Sequence, residues 1–304
     1  MAKAEGNDTG GSTPAPAEDG GSRSEDGGSR SDDGAIRSDG GGFQSQDGGI
    51  QSQDGGIQSE DGGIQSEDGG IRSYRLLSVI VPVFNERVTV AEIIRRIRAV
   101  DVPVDVEIIV VDDGSSDGTD KVLTALGDST VRVLTHSVNQ GKGAAIRTGM
   151  AAARGDLLLV QDADLEYDPE DWPRLLEPIL RGKSQVVYGS RFTGERKNML
   201  PLHWIGNRFL SLVTNILYSS TMSDMETCYK LFDRRVLEGI TIQSDKFDFE
   251  PEITAKVLRR GYRIYEVPIS YAGREVSEGK KITWRDGIGA LRALIKYRFT
   301  RIDP

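Results

Sequence analysis

The chain has 304 residues and a formal net charge of −9. Residues 1–73 carry five Lys or Arg against 15 Asp or Glu, a net charge of −10, so residues 74–304 are close to neutral at +1. We expect no nucleic-acid partner. The 231 residues at 74–304 are enough to bury a large core without disulfides or a structural metal.

The cysteine and apolar content indicate the cellular compartment of the protein. A single cysteine, Cys228, excludes an intrachain disulfide, and with only two histidines a structural zinc site is not expected. No apolar run approaches the roughly 18 residues of a membrane span, and the first residues lack the apolar core of a signal peptide. We therefore expect a protein of the reducing cytoplasm that contacts a membrane only peripherally.

Residues 17–72 repeat a seven-residue unit eight times, from AEDGGSR to SEDGGIR. Each repeat has at most one large apolar residue, and glycines stand where a coiled coil needs helix formers. Such a composition buries too little apolar surface to offset the entropy of ordering. We therefore expect residues 1–73 to be a disordered acidic tail and residues 74–304 a folded domain. The tail could be a passive extension, an interaction module or a repeat translated upstream of the true start.

Short apolar segments alternate with amphipathic helices beyond Tyr74. The pattern predicts helices from about residues 90, 117 and 144, the second capped by Ser115 or Ser116. Strands are predicted at 76–83, 106–111, 131–135 and 157–161. Strands that are apolar along their whole length are typical of a sheet covered on both faces. The sequence therefore predicts an α/β fold with a mostly parallel sheet flanked by helices, whose ligands bind beyond the carboxyl ends of the strands.

Acidic residues follow three of these strands, in the segments VFNE, DDGSSDGT and QDADLE. Asp162 and Asp164 can both turn toward one divalent cation, and carboxylate oxygens suit Mg²⁺ or Mn²⁺. Since Mg²⁺ completes its shell with water and substrate phosphates, a nucleoside diphosphate is the natural partner. For Asp113 an ordinary turn or capping role fits equally well.

The segments VPVFNE, VVDDGSSDGT, NQGKGAAIRTG and QDADLE, in this order and spacing, resemble the family-two glycosyltransferases of the GT-A fold. The resemblance spans residues 76–299, and its later segments look most like the polyprenyl-phosphate sugar synthases of the dolichol-phosphate mannose synthase type. It implies a nucleotide-diphospho-sugar transferase that uses Mg²⁺ or Mn²⁺. Such an enzyme passes a hexose, with inversion, from a GDP-mannose or UDP-glucose type donor to a polyprenyl phosphate.

The resemblance also implies roles for individual residues. Those expected around the nucleoside base and ribose are Pro82, Phe84, Glu86, Val111 and Asp113. Asp162 and Ala163 are expected beside the diphosphate, with Asp164 and Glu166 as metal ligands. The chain departs from the mannose synthases at two of these positions. Phe84 replaces the usual Tyr, which would alter the base pocket, and Glu166 replaces a common Gln, which adds charge at the metal.

The glycine-rich segment NQGKG is not a Walker A loop, because the pattern Gly-x4-Gly-Lys-Ser/Thr is not present. Gly141 and Gly143 are expected to let a helix begin tight against the sheet, with direct phosphate contact as the weaker alternative.

The second half of the domain holds the cations expected to act on phosphates. A strand at 186–191 ends in Arg191, Arg208 opens an amphipathic stretch, and Arg274 follows a strand at 262–267. We expect Arg274 to stabilise the departing diphosphate, and Arg191 and Arg208 to hold an acceptor phosphate.

Two further residues are expected near the acceptor. One is identified by its spacing from Arg274, and the other would be needed only for one kind of acceptor. The synthases place a Lys six residues after the Arg that corresponds to Arg274, which is Lys280 here. The intervening Gly-x-Ser order is not kept, so Lys281 is a substitute. A hydroxyl acceptor would need a general base, for which Asp224 is the candidate.

Two amphipathic stretches, at 204–218 and 284–299, allow either core packing or contact with a membrane. Residues 256–304 hold 12 Lys or Arg against five Asp or Glu, which favours peripheral contact with the cytoplasmic membrane face.

Two rival functions stay open. One is a glycosyltransferase with a saccharide or small-molecule hydroxyl acceptor, and the other is a non-catalytic interaction protein that works through the repeat tail. Neither the nucleotide, the sugar nor the oligomeric state follows from the sequence.

Overall fold

A computed structural model describes residues 72–127, 129–274 and 284–300, with Trp284 and Arg285 described only as part of a helix. The predicted tail, apart from its last two residues, lies outside these ranges, as do Lys280 and Lys281. The predictions made for them stay predictions.

Within the described residues, seven strands form the main sheet. They are β1 (Leu76–Val83), β2 (Asp105–Asp112), β3 (Val131–Thr135), β4 (Leu157–Val160), β5 (Val186–Ser190), β7 (Lys230–Asp233) and β8 (Tyr265–Pro268), with β6 (Arg196–Lys197) set apart. Their order is β3-β2-β1-β4-β7-β5-β8. Neighbours run parallel except at β7, which is antiparallel to both β4 and β5. The predicted mostly parallel sheet is confirmed. β6 pairs in parallel with β9 (Tyr271–Ala272) in a small separate ribbon.

Helices cover the sheet. They are α1 (Val90–Ala99), α2 (Thr119–Ala125), α3 (Lys142–Ala152), α4 (Trp172–Leu180), α5 (Pro201–Tyr218), α6 (Arg234–Leu237), α7 (Phe249–Arg259) and α8 (Trp284–Phe299). The helix α1 buries the apolar face that its sequence predicts, Val90, Ile93, Ile94 and Ile97. Within the described residues, no helix combines the length and apolar content of a membrane span.

The strands β1, β2 and β4 lie at the centre of the apolar core. Ile80 and Ile109 are fully buried, and each such side chain contributes about 1.5–3 kcal/mol relative to exposure. A side chain at Gly149 on α3 would collide with Ile80, so this glycine lets the helix lie directly on β1. The carboxyl ends of these parallel strands consequently meet at one rigid edge of the sheet.

A second apolar cluster joins α5, α7 and α8. Leu210 on α5 packs with Met222, Met225, Ala290 and Leu294. The opposite face of α5 stays exposed, so core packing accounts for one face of this stretch, and membrane contact by the other face stays a prediction.

Three local features differ from the sequence predictions. The N-cap of α2 is Gly118, which offers no side-chain cap, while the preceding Asp117 accepts the N–H of Thr119 at 3.0 Å and Ser115 Oγ accepts the N–H of Asn85. The strand predicted from residue 262 begins at Tyr265. Sequence reasoning also missed β7, a four-residue strand whose LF pair is flanked by Lys230 and Asp233.

The glycine-rich segment also packs differently from the prediction. Cβ atoms at Gly141 and Gly143 would collide with the backbone of Ser244 and Asp245, and Gly141 has φ +103°. The Cα positions of these two glycines therefore pack against the loop before α7, a contact that the prediction did not include.

Candidate active site

A cleft of about 930 Å³ opens at the carboxyl ends of β1, β2 and β4. Its walls include many residues that the sequence singled out: Pro82, Phe84, Glu86, Asp113, Asp162, Ala163, Asp164, Glu166, Arg191 and Arg274. These residues come from five separate segments of the chain. The fold brings the first four segments together because the parallel strands that precede them end at the same edge, and Arg274 follows β9 of the small ribbon.

The loop after β4 carries three acidic residues, Asp162, Asp164 and Glu166, called the acidic triplet below, and hydrogen bonds hold it in place. The buried side chain of Gln161 accepts hydrogen bonds from Trp172 Nε1 at 3.1 Å and Tyr229 Oη at 2.7 Å. Further along, Asp164 Oδ1 accepts the N–H of Glu166 at 3.1 Å, across Leu165 with φ +63°. Sequence reasoning missed the anchoring role of Gln161, because its partners lie on α4 and immediately before β7.

Arg274 joins three carboxylates at one wall of the cleft. Its Nη2 lies 2.9 Å from Asp164 Oδ2 and its Nη1 3.3 Å from Glu86 Oε2. Its backbone N–H donates to Glu166 Oε1 at 2.9 Å, while Tyr271 Oη donates to Glu166 Oε2 at 2.8 Å. The β1 end, the β4 loop and the segment after β9 are thereby connected through a single guanidinium.

The carboxylate of Asp164 lies in a strongly acidic setting. Burial, together with the nearby charges of Asp162 and Glu166, raises its pKa to about 7, although Arg274 acts in the opposite direction. A cation placed among these oxygens would relieve that repulsion. The donor set consists of hard oxygens, which fits Mg²⁺ or Mn²⁺.

The predicted metal ligands are two carboxylates, Asp164 and Glu166. Among the described residues no group of three or more His, Cys, Asp or Glu forms a complete metal cluster. Two carboxylates are compatible with Mg²⁺, which commonly completes its shell with water and substrate phosphates.

Lys142, at the start of α3, is a cleft residue to which sequence reasoning gave no role. Its Nζ lies 2.9 Å from Asp162 Oδ1 and 3.0 Å from Glu250 Oε1. Burial lowers the pKa of Lys142, but the charges of Asp162 and Glu250 have the larger effect and hold that pKa well above its usual value. Lys142 therefore connects the acidic triplet to α7. Its only sequence signal is a position between two glycines.

Asp113 serves the turn chemistry that the sequence allowed and also lines the cleft. Its carboxylate accepts the N–H groups of Gln140 at 2.9 Å and Gly141 at 2.7 Å. The ring of His136 lies behind it, with Nδ1 2.6 Å from Asp113 Oδ1 and Nε2 2.9 Å from Thr148 Oγ1. These contacts hold the glycine-rich segment against the end of β2.

Three predicted residues do not line the cleft in the part of the chain that the structure describes. Val111 is fully buried within β2. Arg208 is exposed on α5, where its Nη1 donates to Ser223 O at 3.3 Å and its guanidinium stacks 5.5 Å from the Phe192 ring centre. The third is Asp224.

Asp224 is fully buried in an ion pair with Arg191. Both of its oxygens accept from the guanidinium, each at 2.7 Å, and one also accepts the Arg191 N–H at 3.0 Å. Asp224 therefore has no exposed oxygen with which to take a proton, and the structure does not support the general-base role suggested for it. Arg191 lines the cleft, but its charge is largely satisfied by Asp224.

Residues 78–241 match the family model for glycosyl transferase family 2. The chain is a family 2 glycosyltransferase.

Several curated relatives of this family 2 glycosyltransferase are named for sugar transfer. The low-salt glycan biosynthesis hexosyltransferase Agl6 of Haloferax volcanii is 30% identical over 72% of this chain and 53% of its own length. An undecaprenyl-phosphate mannosyltransferase of Micrococcus luteus is 33% identical over 68% of this chain and 87% of its own. An undecaprenyl-phosphate 4-deoxy-4-formamido-L-arabinose transferase of Pseudomonas aeruginosa is 31% identical over 67% and 60%. The chain thus spans only about half the length of Agl6.

Solved structures establish the fold. Glucosyl-3-phosphoglycerate synthase from Mycobacterium tuberculosis, solved with Mn²⁺, UDP and glucosyl-3-phosphoglycerate, superimposes with a TM-score of 0.58 at 23% identity. The match covers 73% of this chain and 80% of that protein. The predicted GT-A fold of the glycosyltransferase is thereby confirmed.

Proposed function

We propose that this glycosyltransferase transfers a hexose from a nucleotide sugar, of the GDP-mannose or UDP-glucose type, to a polyprenyl phosphate. Relatives that are named for undecaprenyl phosphate support a lipid acceptor. The observation that carries the proposal is the continuity of the cleft. It runs from the acidic residues after β4 directly onto an apolar wall made by α5.

The apolar wall is unusually exposed for a helix of a folded domain. Leu202, Ile205 and Phe209 all line the cleft, and their exposed fractions are 74%, 57% and 52%. An isoprenoid chain that covered them would gain about 0.8 kcal/mol for each CH₂ group removed from water. A small hydrophilic acceptor would leave this surface in water.

The acidic side of the cleft suits a metal-assisted departure of the nucleoside diphosphate. Asp164 and Glu166 would hold Mg²⁺ or Mn²⁺, and the bound metal would neutralise charge on the diphosphate. Arg274, already among these carboxylates, is the protein's own cation at that position, and we assign it to stabilise the leaving diphosphate.

The reaction proposed is a single displacement with inversion. A phosphate oxygen of the acceptor forms a bond to the anomeric carbon. The bond from that carbon to the diphosphate oxygen breaks, and the nucleoside diphosphate leaves with the electron pair. Because the acceptor phosphate is ionised at neutral pH, no general base is required. The burial of Asp224 in its ion pair is compatible with this reaction.

The acceptor phosphate needs a cation near the apolar wall, and Arg208 fits this role better than Arg191. Arg208 is exposed on α5 beside Phe209, whereas Arg191 is committed to Asp224. A phosphate at Arg208 would place the first isoprene units against the adjacent apolar residues.

The exposed face of α5 also supports peripheral binding to the cytoplasmic membrane face. Ile216 continues the apolar surface toward the end of α5 and is 72% exposed. On α8, exposed Ile288 and Ile295 lie on the same helix as Lys296 and Arg298. Apolar and basic side chains together favour the surface of an anionic membrane.

Product analysis tests the proposal. The protein is incubated with Mg²⁺ or Mn²⁺, a panel of UDP- and GDP-sugars, and either polyprenyl phosphate or the matching unphosphorylated polyprenol. We expect a hexosyl phospholipid from the phosphate alone, and its loss with EDTA. Transfer to hydroxyl acceptors without transfer to the phosphate would overturn the lipid acceptor.

A further inference from the structure

The inner end of the cleft carries two carboxylates that the reaction above does not use. Glu226 precedes β7, and Glu250 lies in the first turn of α7. Both line the cleft, and Glu250 is only 4% exposed. Among the described residues, Glu226 Oε1 and Glu250 Oε2 are buried atoms without a hydrogen-bond partner.

Buried oxygens without partners are uncommon in folded proteins, because more than about 90% of buried polar groups are hydrogen-bonded. Leaving one unpaired is destabilising, and more so when the group is charged. Two such oxygens in one cleft are best explained if a ligand supplies the missing donors.

The surroundings decide what kind of donor fits. Lys142 lies 3.0 Å from the other oxygen of Glu250, and Lys230 donates to the backbone carbonyls of Met225 and Thr227. Burial and the charge of Glu250 raise the pKa of Glu226 to about 8, which shows how poorly the local cations balance the two carboxylates. An anionic phosphate would be repelled here. A neutral group rich in hydroxyls would be accepted.

The position of Glu250 relative to the acidic triplet identifies that group. Lys142 contacts Glu250 and Asp162 with the same ammonium, so the inner carboxylates adjoin the expected diphosphate position. In a nucleotide sugar, the sugar is the neutral polyol attached directly to the diphosphate.

We propose that Glu226 and Glu250 form the subsite that recognises the hydroxyl groups of the transferred sugar, with Oε1 and Oε2 respectively as acceptors. The assignment rests on the function proposed above, because it takes a nucleotide sugar as the donor. It makes these two residues the determinants of which sugar is bound.

The test compares the affinity for nucleotide sugars with that for the nucleotides alone. Glu226→Gln and Glu250→Gln keep the size of each side chain and replace one carboxyl oxygen by an amide nitrogen. Isothermal titration calorimetry with Mn²⁺ then measures UDP-glucose and GDP-mannose against UDP and GDP. For the donor that the wild-type protein prefers, we expect each variant to bind the nucleotide sugar about 10- to 100-fold more weakly, with nucleoside diphosphate affinity unchanged.

Glu252→Gln is the matched control for damage to the fold. Glu252 lies on the same helix, is fully buried, and accepts the N–H groups of Gln243 and Ser244. It is not among the described residues that line the cleft. Its variant should lower the melting temperature without a loss that is selective for the sugar. Glu226 Oε1 accepts no hydrogen bond among the described residues. The affinities of Glu226→Gln therefore test the subsite even if Glu250→Gln folds poorly.

Monodeoxy analogues of the preferred donor sharpen the test. An analogue that lacks the recognised hydroxyl should bind both wild type and variant weakly, so the two losses should not add. Unchanged sugar affinity in both variants, or equal losses for nucleotide sugar and nucleotide, would overturn the subsite. A selective loss in a protein that glycosylates no polyprenyl phosphate would uphold the subsite and reject the acceptor proposed above.

Discussion

At the scale of single residues, the acidic wall of the cleft depends on Arg274. Its guanidinium contacts Glu86 and Asp164 directly, with Glu166 Oε1 3.7 Å from its Nε. The pKa of Asp164 stays raised to about 7 despite this cation, so the ionised site is held at an energetic cost to the empty protein. Functional sites commonly hold charged groups in this way. A cationic ligand then relieves the repulsion between the carboxylates, and this relief favours its binding.

Asp164→Asn should reduce kcat/KM at least 100-fold with Mg²⁺ or Mn²⁺ and change the melting temperature by no more than a few degrees. The amide keeps the shape of the side chain and removes a charge that its neighbours repel. Steady-state kinetics and calorimetry measure the two effects. Asp120→Asn, at an exposed carboxylate in the first turn of α2, is the control and should change neither. Normal turnover by Asp164→Asn would remove this residue from the metal site.

Glu226 should make stability depend on pH. Its pKa is raised from 4.5 to about 8, so the native protein keeps a proton that the unfolded chain loses. Its contribution to stability is therefore complete below about pH 4.5 and is lost as the pH rises through 8. Glu226→Gln should match the wild type in thermal unfolding at pH 5 and exceed it increasingly at pH 6.5 and 8. A constant difference across this range would contradict the shift.

At the scale of elements, the start of α3 is fixed by the loop before α7. The N–H of Ala144 donates to Asp245 O at 3.1 Å, and Gly143 packs on the backbone of Ser244. Lys142 directly precedes these two residues, and its ammonium contacts Asp162 and Glu250. The packing of glycine against a neighbouring backbone thus positions a charged side chain of the cleft.

Gly143→Ala should destabilise the protein by about 1–3 kcal/mol, because the added methyl group overlaps backbone that cannot move aside as a side chain would. Displacement of Lys142 should lower activity as well. Chemical denaturation gives the change in the free energy of unfolding. Gly289→Ala is the control, since its Cβ meets nothing within 4 Å in α8, and it should be neutral or stabilising by up to about 1 kcal/mol. Equal effects of the two variants would argue against the close approach.

A substitution on α5 should distinguish acceptor binding from donor binding. Arg208→Ala should raise the apparent KM for polyprenyl phosphate about 10- to 100-fold and leave the KM for the nucleotide sugar unchanged, since a charge-assisted hydrogen bond contributes about 1.5–3 kcal/mol. Arg181→Ala, which removes an exposed arginine paired with Glu177 on α4, should alter neither constant. A rise in the nucleotide-sugar KM for Arg208→Ala would place this arginine at the donor instead.

At the scale of the whole molecule, the described fold begins with contacts to Asp233 at the end of β7. Tyr74 Oη donates to Asp233 Oδ2 at 2.9 Å, and Arg72 Nη1 donates to the same oxygen at 3.2 Å. The start of the folded region therefore packs against β7. The predicted boundary between residues 73 and 74 would remove one of these contacts.

Deleting residues 1–70 should leave the melting temperature and kcat/KM unchanged, because the composition of that segment predicts too little apolar surface to pack on the domain. Deleting residues 1–72 should cost up to about 1 kcal/mol through the partly exposed Arg72–Asp233 pair. Differential scanning calorimetry compares both truncated chains with the full chain. Arg72→Ala in the full chain should reproduce the second loss. A drop of several degrees for the shorter deletion would show that the repeats pack on the domain.

The first half of the fold was predictable from local pattern. The strands β1 to β4 are short and apolar throughout, and α1 shows its buried face every three or four residues, so period and length suffice to locate them. Since parallel strands present their carboxyl ends at one edge, the sequence also placed Glu86, Asp113 and Asp162 in a common cleft. Four ordered motifs were enough to indicate the glycosyltransferase family.

The tertiary structure decided which polar residues of the second half face that cleft. Nothing in the local sequence distinguishes Asp224, which is buried with Arg191, from Glu226, which lines the cleft two residues later. The contact from Lys142 to Glu250 spans more than 100 residues and depends on how α7 docks beside α3. Sequence period reports which face of an element is apolar, because burial acts on each element separately. It does not report which polar groups meet, because that depends on how the elements pack.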